Sequence, residues 1–241
     1  MSKFDEITQR FADIKYMNAA RAGTLRDLIL RHDARDILEI GFYQGKSSLY
    51  IGGALEDLGR GKLTTIDRES ARAHDPNIET LLDRTGLGHR VTPIYAYRSF
   101  TWELQKMIAQ SPRPEFDLCY FDGGHTWDET GFGFLLVDLL LRPGGVIVFD
   151  DMSWTIDGST AYAKNAAQSG KFSADEAATR SVERVWDLLV PARGYERVER
   201  LDKVQWGVAR KAGGSDGKGP GLVSRLRRRV DDALRSVPRS K

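Results

Sequence analysis

The sequence predicts an α/β protein: a Rossmann-like, doubly wound, mostly parallel seven-stranded sheet with a C-terminal antiparallel hairpin. Two observations carry this. Short apolar runs of strand length recur five times and alternate with stretches of helical spacing, the pattern of βαβ units. The runs at 195–201 and 204–209 then flank Asp202-Lys203, as the arms of a hairpin do.

The elements follow in order. Residues 4–31 read as helices, because Phe4, Ile7, Phe11 and Ile14 keep helical spacing and Leu25, Leu28 and Ile29 resume it. The run 36–41 is a short strand ending in Gly41, and 47–58 is helical until Gly59-Arg60-Gly61. The second strand is 62–67, followed by a helix around 77–85. The third is 90–95, where Pro93 marks an irregularity or a sheet edge. A helix over 100–110 closes at Ser111-Pro112-Arg113-Pro114. The fourth strand is 116–121, the next helix 128–141, and the fifth strand 146–151. Residues 152–180 read as irregular and long for a compact domain, which predicts a lid that covers the substrate and orders with ligand. Val182, Val185, Leu188 and Leu189 mark a last helix before the hairpin. The expected organisation is N-terminal helices over 1–34 on the substrate side, a main domain over 35–210 and a tail over 211–241.

With 241 residues, 41% hydrophobic and 29% charged, the chain can bury a full core. No apolar run approaches the ~20 residues of a membrane span, and the start lacks the apolar stretch of a secretory signal. The single Cys119 excludes an internal disulfide and reads as a core residue. A cytoplasmic protein is expected. The net charge of +2 is unevenly spread. Residues 211–241 hold nine Lys/Arg against three Asp/Glu, a net of +6, which leaves −4 on residues 1–210. An acidic body argues against nucleic acid as a partner. Residues 211–221 read as a flexible linker. Beyond it Leu222, Leu226, Val230 and Leu234 are spaced by four among arginines, so 221–237 is a candidate for weak peripheral contact with the inner membrane face, or for packing on the body or on another subunit.

Ligands of open α/β sheets bind beyond the carboxyl ends of the strands, and the chemistry-bearing residues of this chain fall there. Gly41 and Gly45 let the backbone pass close to a ligand between the first strand and its helix. Asp67 ends the second strand, where a carboxylate suits two vicinal ribose hydroxyls or serves as a turn acid. Asp122 and His125 leave the fourth strand; Asp150 and Asp151 leave the fifth. Three carboxylates on one rim are costly unless neutralised, and a hard divalent cation such as Mg²⁺ neutralises them through oxygen ligands. Trp127 and Trp154 flank these loops with indole faces suited to sugar or aromatic rings.

The run Glu39-x-Gly41-x-x-x-Gly45-x-Ser47 resembles the first motif of class I S-adenosylmethionine-dependent methyltransferases, in the cation-dependent O-methyltransferase branch. The loops Asp122-Gly123-Gly124-His125 and Asp150-Asp151 resemble those of the metal-dependent sugar O-methyltransferases of the macrocin and mycinamicin type, over about 35–210. The resemblance implies that Glu39, Gly41, Gly45 and Ser47 belong to the cofactor loop, with the two glycines against the methionine part. It implies that Asp67 holds the ribose and that Arg98 and Ser99 fall where adenine is contacted, although Ser99 equally suits a helix cap. Asp122, Asp150 and Asp151 would hold the metal, and His125 would be the general base. The expected cofactors are S-adenosyl-L-methionine and Mg²⁺ or another divalent cation. The expected acceptor is a hydroxyl of a sugar, a glycan or another polyhydroxylated small molecule. The same loops also suit a cephalosporin-hydroxylase-like protein, an N-methyltransferase, or a cofactor-binding scaffold that acts through its basic tail. A homo-oligomer is compatible with all of these.

Overall fold

The chain was analysed as a computed structural model, which describes residues 1–160 and 170–213. Seven strands form one sheet: β1 (Asp36–Ile40), β2 (Lys62–Arg68), β3 (Val91–Ala96), β4 (Phe116–Phe121), β5 (Leu141–Phe149), β6 (Glu196–Leu201) and β7 (Trp206–Arg210), in spatial order β3-β2-β1-β4-β5-β7-β6. The first five are parallel; β7 pairs antiparallel with both β5 and β6. Pro93 lies in β3, which pairs only with β2, so its missing N–H faces a sheet edge.

Eight α-helices are described, besides a short 3-10 helix over Glu69–Ala73: α1 (Lys3–Arg10), α2 (Ala19–Arg31), α3 (Lys46–Asp57), α4 (Ile78–Thr85), α5 (Phe100–Ile108), α6 (Trp127–Asp138), α7 (Ala174–Ala178) and α8 (Ser181–Ala192). Strand side chains alternate between faces, and this divides the core in two. Tyr120, Val146 and Val148 meet residues of α1 to α4, including Ile7, Leu25 and Leu49. Cys119, Phe121, Ile147 and Phe149 meet α5, α6 and α8 through Leu104, Phe134 and Val185. The N-terminal helices therefore share the core of the sheet. Side-chain caps fix where several helices begin: Asn18 accepts from Arg21 N–H, Asn77 from Thr80 N–H and Ser99 from Thr101 N–H.

Three expectations from the sequence need correction. Helix α6 ends at Asp138, and β5 already begins at Leu141 rather than at 146. The stretch 134–141 is apolar except for Asp138, the last residue of the helix, whose buried carboxylate is held by Arg193 and Tyr195. The register shifts between Phe116 and Leu118 absorb Pro143-Gly144 within the paired strand. Residues 152–180 are not wholly irregular. They contain α7, and Ala177 accepts a hydrogen bond from Asp157 N–H. Residues 161–169 of the expected lid, and the tail from 214 onward, lie outside the described residues.

The pairing places the site. Ile40 lies opposite both Ile66 and Phe121, and Phe121 lies opposite Phe149. The residues that follow (Gly41, Asp67, Asp122 and Asp150) therefore leave the sheet at one rim. The strand order reverses between β1 and β4, which is where open α/β sheets form their crevice.

Candidate active site

A cavity of about 520 Å³ opens at this rim. Gly41, Ser47 and Asp67 line it from the β1 and β2 loops, and Arg98 and Ser99 from the β3 loop. Asp122, His125, Asp150 and Asp151 line its other end. Two of the sequence-predicted residues do not face it. Gly45 is the N-cap of α3 at φ 100°, and a side chain there would collide with Ile78 at 2.6 Å. Glu39 is fully buried behind the loop.

Asp67 grips the glycine loop. Its Oδ2 accepts from Phe42 N–H at 2.8 Å and Tyr43 N–H at 2.6 Å, and its Oδ1 from Arg68 N–H at 2.6 Å. Tyr43 is held at φ 51°, a conformation that side chains disfavour and that a neighbouring constraint must maintain. Ser99 caps α5 at the cavity wall.

Glu39 accepts hydrogen bonds from Ser48 and, at 2.6 Å, from Thr65, while its Oε1 has no partner. Burial pushes its pKa up to about 7. A raised carboxyl pKa favours folding while the acid is protonated. The contribution is complete below the unfolded value near 4.5 and is lost as pH rises through 7. Glu39→Gln, which keeps the neutral form, should flatten the fall of melting temperature over this window and stabilise the protein at pH 8 by up to about 3 kcal/mol. An unchanged pH slope in thermal unfolding would refute the account.

At the other end, donor atoms of Asp122, His125 and Asp151 lie within 4.8 Å of one another. His125 Nε2 is 3.1 Å from Asp151 Oδ2 and 3.7 Å from Asp122 Oδ1. Its ring stacks on Trp154 with centroids 5.2 Å apart. The two carboxylates outweigh the burial that disfavours an imidazolium and hold His125 up at about 10. Burial, then the charge of Asp150, pushes Asp122 up to about 7, whereas its hydrogen bond with His125 holds Asp151 low. Asp151 adopts φ 53°. The cluster thus concentrates negative charge that the histidine proton offsets, and hard-oxygen and imidazole donors of this kind suit a divalent cation.

Asp150 is engaged elsewhere. It is 2% exposed. Arg21 Nη2 donates to both its oxygens, to Oδ1 at 2.6 Å, and Tyr120 OH donates to Oδ2. Neither Arg21 nor Tyr120 stood out in the sequence. Arg21 lies 129 positions from its partner, and Tyr120 reads as one more apolar residue of a buried strand.

These features place a cavity lined by glycine, acid and histidine loops at the switch point of an α/β sheet. Residues 38–152 match the family described as "Methyltransferase domain". No curated protein matches the sequence. Among solved structures, the chain is similar to the O-methyltransferase TomG from Streptomyces achromogenes, involved in tomaymycin synthesis and solved with S-adenosylmethionine. The identity is 22% over 88% of this chain and 91% of that one, with a TM-score of 0.61. It is also similar to the O-methyltransferase from Bacillus cereus in complex with S-adenosylhomocysteine, at 19% identity over 86% and 89% of the two chains, TM-score 0.59. At these identities the likeness is one of fold. Among the described residues, no helix is long and apolar enough to cross a membrane.

Proposed function

We propose that the protein is a divalent-cation-assisted O-methyltransferase that acts on a hydroxyl of a sugar or another polyhydroxylated small molecule. The observation that carries this reading is the meeting of Asp122, His125 and Asp151 at one end of a cavity whose other end is the Gly41 and Asp67 loops. Asp122 and Asp151 would hold the ion, with Mg²⁺ as the best fit to carboxylate ligands and open water positions. Bound there, a divalent cation lowers the pKa of a coordinated hydroxyl as it does that of water.

The protein's own groups do the rest. With a cation between Asp122 and Asp151, the carboxylates that keep the imidazole protonated would be offset, and His125, freed of that proton, would take the acceptor's as general base, its plane fixed by stacking on Trp154. Asp67 and the backbone around Gly41 seat the cofactor, with Arg98 and Ser99 toward its adenine. The acceptor oxygen bonds to the methyl carbon as the carbon–sulfur bond breaks, and S-adenosylhomocysteine leaves. Rate enhancement comes chiefly from holding two reactants in line.

The test is calorimetric titration of S-adenosylhomocysteine with and without Mg²⁺, beside Asp67→Ala. Micromolar binding that Asp67→Ala abolishes is expected. This variant loses a ribose ligand and also the acceptor of the Phe42 and Tyr43 N–H groups. Absence of binding by the wild type, with and without Mg²⁺, would remove the proposal.

A further inference from the structure

Asp150 and Asp151 are neighbours in sequence at the end of β5, yet the structure gives them different partners. Asp151 meets Asp122 and His125; Asp150 does not belong to that group. Both Asp150 oxygens are occupied by Arg21 and Tyr120, and its Oδ1 also accepts the N–H of Asp151. Two further contacts hold Arg21 in place. Asn18 caps the first turn of α2 by accepting from Arg21 N–H at 2.9 Å. The guanidinium lies 5.4 Å from the ring centroid of the fully buried Trp206. Its charge is also permanent, because arginine does not lose its proton in proteins.

We propose that Arg21 is a positioning residue that sets the coordination number of the metal centre. It acts as a built-in cation that holds Asp150 away from the ion, so that only Asp122 and Asp151 supply carboxylates and the remaining positions stay open for acceptor oxygens. The inference rests on the metal reading given above. Its physical content is a competition. A carboxylate paired with a guanidinium is not available to an ion, and a positive charge close to the cluster opposes a second one. Removing Arg21 therefore frees a third hard oxygen ligand and removes a repulsion, and both changes tighten ion binding. A residue that merely supported the fold would loosen it.

The experiment measures Mn²⁺ binding by electron paramagnetic resonance, with Mn²⁺ alone as the probe. The proteins are the wild type, Arg21→Met, Arg21→Lys, Tyr120→Phe and the double variant Arg21→Met/Asp150→Asn. Binding of S-adenosylhomocysteine is measured in parallel to report an intact cofactor end. Arg21→Met is expected to bind Mn²⁺ about tenfold more tightly, the scale on which outer partners tune a metal site. Arg21→Lys should stay close to the wild type. Tyr120→Phe, which removes only the second donor, should shift binding in the same direction as Arg21→Met. The double variant should lose the gain. Unchanged or weaker Mn²⁺ binding by Arg21→Met with S-adenosylhomocysteine binding intact overturns the proposal. So does an unchanged Tyr120→Phe if Arg21→Met does not fold. A wild type that takes up no Mn²⁺ overturns the metal reading together with this one, which separates the two failures.

Discussion

Replacing His125 with alanine will lower turnover by about 10²–10⁴-fold, the usual worth of a positioned general base, while S-adenosylhomocysteine and Mn²⁺ still bind. Two roles compete for this side chain. Nε2 lies within 4 Å of both Asp122 and Asp151, so as a ligand it would complete the ion's shell; as a base it would face the acceptor hydroxyl. Geometry favours the base. The ring is stacked on Trp154, and its Nε2 lies 3.1 Å from the Asp151 carboxylate, as a base does beside the group that orients it. The two carboxylates already suffice for an ion that keeps most of its water. The two roles separate on one comparison. A base variant loses methyl transfer and keeps the ion; a ligand variant loses both. Single-turnover methyl transfer with the best acceptor from a sugar screen, set beside Mn²⁺ titration of the same preparation, decides between them. Normal turnover by the variant would rule out both roles.

Much of the sheet was legible because the central strands β1, β4 and β5 carry apolar runs that end in Gly41, Asp122 and Asp150, and because a parallel order follows once strands alternate with helices. The rim could be read for the same reason: once the strands are parallel, the residues after Ile40, Ile66, Phe121 and Phe149 must leave on one side. What the sequence hid depends on contacts between distant segments or on the ends of apolar stretches. The junction between α6 and β5 is hard to read because apolar residues run on both sides of Asp138, the single polar residue of 134–141. The grip of Arg21 on Asp150 joins an N-terminal helix to the fifth strand, and no spacing rule links them. Glu39 belongs to the motif that marks the cofactor loop, yet its side chain points into the packed face beneath α3, where Ser48 and Thr65 meet it. The motif thus locates the loop without saying which of its side chains face the cavity.

Gly41→Ala should abolish S-adenosylhomocysteine binding and weaken Mn²⁺ binding together, although Gly41 carries no functional group. The reason is its place between the two halves of the site. An added Cβ would lie 2.1 Å from the carbonyl oxygen of Asp122 and 2.8 Å from its carbonyl carbon. Gly41 also sits at φ 87°, where a side chain costs roughly 1–2 kcal/mol. That strain alone would leave a partly active protein. The clash decides the outcome, because its partner is main chain and cannot rotate away. Relief requires the β1 or the β4 loop to move by about 1 Å, a displacement that can cost ~10²-fold in a positioned site. The β4 loop is tied back by Asp122 N–H to Ile40 O at 2.8 Å, and the β1 loop by Gly41 N–H to Ile66 O at 2.8 Å. Movement of either therefore disturbs both the cofactor end and the carboxylate that holds the ion. Gly88→Ala, where an added Cβ meets nothing within 4 Å, is the control and should bind both ligands as the wild type does. Wild-type affinities in Gly41→Ala would show that the two loops move independently, and the close contact between β1 and β4 would then carry no functional coupling.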